Sequence, residues 1–315
     1  MEIRYIKNEE IDRAKWDNCI ETAPNGRIYA MSWYLDIAAD YWDALIVGDY
    51  EIVFPLPYQK KLGCRMLSQP PLSQQLGIFA KETLSEEIIT TFLKAIPKKF
   101  LFGKLQLNAD NKIQSSKEFP VEYRVNIELD LRKSIEEIRK EYIRNNKRNI
   151  NKANNNNINI KEGTDFDRII QTYKLNLGDK RFNVHSSLYT MANKIFISLK
   201  ERKNLTIYDA FIDDDFIAGI ILSSFQNRTI ALFSGCSEKG YQVAASPFLF
   251  DYAIGKASLN KEIFDFEGSN TKSVAFVFHG FGGKTVPYPE ITIYNVPKFI
   301  AKGIFMLKNL LKKMN

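Results

Sequence analysis

The sequence predicts an α/β (α+β) protein made of two units, each a mixed, mostly antiparallel sheet flanked by helices. Three observations carry this expectation. The chain has 315 residues, more than one hydrophobic core usually serves, so two core-forming units of ~100–200 residues are expected. Apolar segments switch along the chain between the alternation of strands and the 3.6-residue spacing of helices. In the second half, three strands follow one another and then alternate with helices, an order that builds layers of helix on sheet. Hydrophobic residues make up 45% and charged residues 26%, which excludes a disordered chain.

The first unit opens with a helix over EEIDRAKWDNCI, whose spacing turns Ile11, Ala14 and Cys19 inward. WDALIVG and EIVFPLPYQ then alternate like paired strands about the turn at Gly48–Asp49. Pro55 and Pro57 assign the second of these to a sheet edge, because proline donates no ladder hydrogen bond. Thr83-Leu-Ser-Glu86 has capping-box spacing and opens a helix that Pro97 ends. KLQLN and VEYRVNIELDL complete the unit as strands. A second capping box, Ser134-Ile-Glu-Glu137, starts one long basic helix that runs into Asn154–Asn157. The division is placed just before it, giving units 1–125 and 126–315.

The second unit continues with an NINIKEG strand and helices around Phe166–Leu177 and Ser187–Arg202. A meander follows: LTIYDAFI, FIAGIILSSF and TIALFSGC, with turns at Asp213–Asp215 and Gln226–Arg228. Ser246 as N-cap and Pro247 in the first turn start the helix SPFLFDYAIGKA, and EIFDFEG is the next strand. Two more helical pieces flank a last strand, PEITIYN. In the tail, Phe299, Ile300, Ile304, Leu307, Leu310 and Leu311 recur at helical spacing among lysines. That pattern fits an amphipathic closing helix or a segment lying on an anionic membrane surface.

Forty-four Lys and Arg against 37 Asp and Glu leave a net charge of +7. This balance suits an anionic partner such as tRNA, coenzyme A, a nucleotide-sugar or a phospholipid surface, and equally a basic surface kept for solubility. Cys19, Cys64 and Cys236 lack CxxC spacing, so a reducing compartment is expected, with neither disulfide framework nor zinc knuckle. His185 has no His or Cys neighbour, and no metal is expected. The first residues are charged, unlike a signal peptide, and no uncharged run reaches the ~18 residues of a membrane span. A cytoplasmic location follows as the expectation, free or at the inner face of the membrane.

Three segments resemble one family in its own order. GRIYAMSWYLDIAA is similar to an N-terminal "hs-x-x-W" segment, and KRNINKANNNNINIKEG to an "R-x-I-x-K-A … strand" segment. FDFEGS followed by FVFHGFGG resembles a "D-F-x-G-S … F-x-x-x-F-G" block. These belong to the Fem peptidoglycan-bridge aminoacyltransferases and the related BioF2-like acetyltransferases, on the GNAT acyltransferase fold. The resemblance implies two tandem GNAT-like domains, with a cleft where the third meander strand and the strand after the next helix splay apart. It implies N-acyl transfer to an amine of a cell-wall peptide precursor or surface-glycan sugar, and no tightly bound cofactor. The donor is aminoacyl-tRNA or acyl-CoA. Coenzyme-A users carry a glycine-rich loop before that helix, whereas Cys236–Pro247 holds only Gly240. The family's long coiled-coil arm is absent, and His279 stands where a lysine is common.

Transfer to an amine needs the amine neutral, the carbonyl held close and an oxyanion stabilised. Glu267, at the end of a core strand, is the candidate base, and partial burial would raise its pKa. His279 would stabilise the oxyanion or orient substrate. The nearby Asp265, between Phe264 and Phe266, reads as structural. Lys147 and Arg148 on the basic helix, with Lys239 and Tyr241 near the donor position, are the candidate substrate-binding residues. The rival expectation is a non-catalytic anion- or RNA-binding protein on a degenerate GNAT scaffold.

Overall fold

The computed structural model describes residues 1–61, 63–176, 185–268 and 271–297. The chain forms two compact units: Met1–Arg124 joined by residues 287–297, and Val125–Val286.

In the first unit, β1 (Ile3–Ile6), β2 (Tyr41–Val47), β3 (Ile52–Lys61) and β4 (Cys64–Ser68) pair antiparallel in that order. The short β5 (Phe79–Ala80) adds to β3, and β6 (Phe100–Gln106) runs parallel to β4. Helices α1 (Arg13–Thr22) and α2 (Ser32–Ala38) bury Trp16, Ile20, Tyr34 and Leu35. Helix α3 (Glu86–Lys94) buries Ile89, Phe92 and Leu93 in a core with Phe54, Leu56 and Phe100.

Two expectations for this unit are corrected. Strand β3 is not an edge strand, since β2 pairs with one side of it and β4 and β5 with the other. β5 takes Ile52–Val53 and β4 takes Tyr58–Lys61, so Pro55 and Pro57 fall in the unpaired gap between them. There a missing N–H costs no ladder bond. The cap of α3 is Ser85, whose hydroxyl accepts from the Ile88 N–H at 3.3 Å, while Glu86 accepts from the Gln114 N–H. The Thr83–Glu86 box is therefore not formed.

The second unit holds β7 (Val121–Asp130, from Val125), α4 (Ile135–Glu141), α5 (Arg144–Asn155), β8 (Asn159–Glu162), α6 (Phe166–Tyr173) and α7 (Ser186–Glu201). It continues through β9 (Leu205–Ile212), β10 (Asp215–Phe225), β11 (Arg228–Cys236), α8 (Glu238–Gln242), α9 (Ala245–Ala257), β12 (Ile263–Asp265) and α10 (Lys272–Gly280). Strands β8 to β11 are antiparallel, β12 runs parallel to β11, and β7 pairs antiparallel with β12. Alternate residues of β10 serve two helix layers. Ala218, Ile220 and Leu222 join the core of α9, whereas Gly219 lies beneath Ile169 of α6. The last strand, β13 (Lys284–Tyr294), crosses the division, and its Glu290–Tyr294 pair with β6 inside the first unit.

The capping box at Ser134 forms as expected, but the long basic helix does not. It breaks at Tyr142–Ile143, both extended, between α4 and α5. Tyr142 turns inward to meet Phe281 edge-on at 5.0 Å, and the Ile143 N–H donates to the Gly280 carbonyl at 2.9 Å. Tertiary contacts thus replace one helical turn. Ser246 is not the cap of α9; Ala244, at φ +61°, precedes the first helical residue. The tail helix expected over Phe299–Leu311 lies outside the described residues. Among those described, no helix is long and apolar enough to cross a membrane.

Candidate active site

Strands β11 and β12 stay in register only over Arg228–Ile230 and Ile263–Asp265. Beyond that point β12 ends, whereas β11 runs on to Cys236. Past Asp265 the chain stays hydrogen-bonded to β7 through the Phe266 N–H and the Ile127 carbonyl, while β11 continues without β12 beside it. Beside the short β11–β12 contact lies a closed charge cluster: Arg228 reaches Asp265 at 2.8 Å and Glu128 at 2.7 Å, and the Asn126 amide donates to Glu128 at 3.0 Å. Burial opposes the guanidinium charge, but the two carboxylates overcome it and hold the Arg228 pKa above its ordinary value. Asp265 is structural, as the sequence led one to expect.

Glu267 follows two residues beyond β12 and does not itself end a strand. Its backbone N–H donates to the Asp265 carboxylate at 2.9 Å, and its φ is +57°. A non-glycine residue in this left-handed region costs about 1–2 kcal/mol, so the surroundings impose the conformation. Gly268 continues it at φ +54°, and a Cβ there would strike the Val125 carbonyl. Phe266 on one flank stacks on Phe278 at 4.7 Å, and both meet Phe250. The aromatic positions of the F-D-F-E-G … F-V-F-H-G-F block are therefore a packed wall. The wall supports Glu267 next to Phe266 and His279 next to Phe278.

His279 sits exposed in the last turn of α10, with Nδ1 2.8 Å from the Gly283 carbonyl oxygen. A carbonyl only accepts, so Nδ1 carries the proton. In the neutral ring Nε2 then keeps its lone pair, 3.5 Å from Thr285 Oγ1. This tautomer can accept a proton at Nε2 but cannot donate to an oxyanion from it unless the ring is charged. The geometry thus fits proton acceptance better than the oxyanion role expected for this histidine.

Lys239 and Tyr241 lie on α8, just after β11. The loop is folded into this short helix, with Ser237 capping the Gly240 N–H at 3.0 Å and Gly240 pressed against the Ile217 carbonyl. The Lys239 ammonium is bound to Asp215 at 2.7 Å, and Tyr241 is exposed. The Ser246 N–H at the start of α9 is taken by Cys236, whose thiol burial pushes up to about 12.

Lys147 and Arg148 lie elsewhere, on α5. Lys147 lines an open groove of about 530 Å³ with Arg139, Tyr142, Asn151, Phe248 and Tyr252. Arg148 hydrogen-bonds Asn145 and does not line it. Within the groove Arg139 holds Asp251 through two 2.9 Å bonds. Sequence inspection did not find Arg139, Tyr142 and Asp251. Arg139 and Asp251 are 112 residues apart, and the only local signal at Tyr142 was an aromatic residue inside a basic helical pattern. Among the described residues no cluster of three or more His, Cys, Asp or Glu side chains could hold a metal ion.

No protein-family model and no curated protein matches the chain. Solved structures do match it over nearly their whole length. A structure of FemX superposes with a TM-score of 0.67 at 12% identity, covering 98% of this chain and 99% of that one. L-PGS from Bacillus licheniformis gives 0.56 at 11% identity, covering 96% and 97%. A tandem GNAT protein from the clavulanic acid biosynthesis pathway gives 0.53 at 10% identity, covering 94% and 99%. The chain has the tandem GNAT fold shared with Fem-like proteins.

Proposed function

We propose that this chain is an N-acyltransferase that moves an acyl or aminoacyl group onto an amine, where β11 runs on beyond β12. The observation that carries the reading is the tandem GNAT fold in which β11 outruns β12 after three paired residues, with Glu267 and His279 each following a ring of one stacked aromatic pair, Phe266 and Phe278. His279 Nε2 takes the proton of the incoming amine as nitrogen attacks the acyl carbonyl. The tetrahedral intermediate then expels the donor's oxygen or sulfur, which takes the proton from the imidazolium. Glu267 holds the ammonium by charge; one proton is lost to solvent before attack, and the neutral amine then gives its second to His279.

The folded α8 loop, with Gly240 packed on β10 and Ser246 committed to Cys236, leaves no glycine loop for a pyrophosphate. That favours aminoacyl-tRNA over acyl-CoA as donor. The Fem-like motifs favour an acceptor on a cell-wall peptide precursor or surface glycan, met at the cytoplasmic side of the membrane. A second reading, a non-catalytic anion binder, is favoured by the exposed cations of α5. Mass spectrometry of UDP-linked peptide and amino-sugar acceptors, incubated with each donor, separates the two. A donor-dependent mass increase that disappears in His279→Gln supports transfer. Unmodified acceptors with both donors would leave only the binding reading.

A further inference from the structure

We infer that Asn146 is a positioning residue for His279: from the start of α5 it fixes the last turn of α10 and, through that turn, the imidazole tautomer. The inference rests on the transfer reading above, in which His279 Nε2 accepts the amine proton. It adds a residue that touches no reacting atom and lies 131 positions from the carbonyl it holds.

An α-helix ends in four carbonyls that have no donor within the helix. In α10 these belong to Val277, Phe278, His279 and Gly280. The Phe281 N–H goes to Phe278 at 3.1 Å and the Gly282 N–H to His279 at 2.9 Å. The other two donors come from the break between α4 and α5. The Ile143 N–H reaches Gly280 at 2.9 Å, and the Asn146 Nδ2 donates to Val277 at 3.0 Å. Two bonds from the start of α5 therefore bracket His279.

The amide is fitted to this place by packing. Asn146 is fully buried, and a Cβ on Gly280 would come 2.7 Å from its Oδ1. Glycine there lets α5 approach closely enough for Nδ2 to reach Val277. Asn146 Oδ1 has no hydrogen-bond partner among the described residues, so the Nδ2 bond alone orients the side chain. Beyond the capped turn the chain reverses and brings the Gly283 carbonyl to His279 Nδ1 at 2.8 Å. That bond keeps the proton on Nδ1 and the lone pair on Nε2, where the amine proton is taken. Without the amide, Val277 loses its donor, the turn loosens, and the ring carries its proton on either nitrogen.

The chain has two histidines, and the structure gives them opposite tautomers. His185 Nδ1 accepts from the Ser187 N–H, so its proton sits on Nε2. Nitrogen NMR of the full chain, isotope-labelled at histidine, reads both rings about two pH units above the ordinary imidazole pKa of ~6.5. Asn146→Ala should lower the ratio of Nδ1–H to Nε2–H at His279 about 5-fold, the effect of losing one hydrogen bond, and leave His185 unchanged. Gly280→Ala keeps the amide but pushes it off Val277; it should do the same, and it decides the matter should the first variant fail to fold. The double variant should match Asn146→Ala alone, because the methyl then has room. Ile169→Val, a change in a buried residue of α6, should alter neither histidine. In transfer assays kcat should fall in the same proportion at unchanged KM. The inference falls if both single variants keep the wild-type His279 spectrum, if the α6 variant shifts it equally, or if transfer ignores an altered tautomer. The spectra need no substrate, so a wild type without transfer removes the proposed activity, while the Asn146 clamp stands or falls on the tautomer.

Discussion

Two arginine–aspartate sites in the second unit share one kind of ion pair and have opposite character. Arg228 is 13% exposed and is consumed by Asp265 and Glu128. Arg139 is half exposed; it pairs with Asp251 alone and borders an open groove. In the first, every charge has a partner inside the protein, so the cluster can only hold β7, β11 and β12 together. In the second, Arg139 keeps half of its surface exposed and Lys147 lines the groove with no carboxylate within 4 Å among the described residues. Surplus polarity at a concave surface is what a binding site needs, whereas complete pairing marks scaffold.

Breaking the closed site should have the largest effect. Arg228→Met strands the buried Asp265 and the half-buried Glu128 and is expected to cost about 3–5 kcal/mol of stability. Arg139→Met strands one buried carboxylate, Asp251, from a partner that is half exposed, and should cost less, about 1–3 kcal/mol. Urea midpoints of the two variants measure the contrast, and equal shifts would erase it.

Next in size are the residues of the proposed transfer site. His279→Gln and Glu267→Gln should each slow transfer about 10²-fold with unchanged urea midpoints. A rate loss tracking a lowered midpoint would return either residue to the scaffold.

The first unit has its own closed site. Glu290 is 4% exposed and receives Lys104 at 2.7 Å, Arg124 at 2.7 Å and Gln106 at 3.1 Å. Burial works against its charge, yet bonds from Lys104, Gln106 and Arg124 keep its pKa below the usual carboxylate range. A depressed carboxyl stabilises the fold above its unfolded pKa of ~4.3, and this is lost as pH falls through the lower folded value. Glu290→Gln should therefore cost about 1–3 kcal/mol at pH 7. The gap from wild type should narrow as the unfolding titration is repeated toward pH 3.

The smallest effect separates strain from function at one residue. Glu267→Gly relieves the left-handed backbone and should raise stability by about 0.4–1 kcal/mol while slowing transfer as the Gln variant does. A destabilised glycine variant would show that the glutamate side chain holds the corner together.

The meander was legible because its strands carry long β-branched runs closed by turn residues, and the expected turns form, with positive φ at Asp213 and Gln226. The Ser134 cap was legible because a capping box is local. The α4–α5 break was not, because nothing between Glu141 and Arg144 disfavours helix; the reason for it is Phe281 and Gly280, far along the chain. The site was half legible for the same reason. Glu267 and His279 stood out as titratable groups among glycines, but the His279 tautomer depends on a carbonyl that only the fold brings to Nδ1.

The sequence by itself determined the element order, the α/β layers and the positive charge of α5, since period, turn chemistry and charge are properties of neighbouring residues. Tertiary structure alone decided which charges are spent and which remain. Arg228 finds Asp265, Lys239 finds Asp215 and Arg139 finds Asp251 across 24 to 112 residues of chain. Such pairing is set by packing of distant elements, so no local pattern could separate the committed cations from those left open on α5.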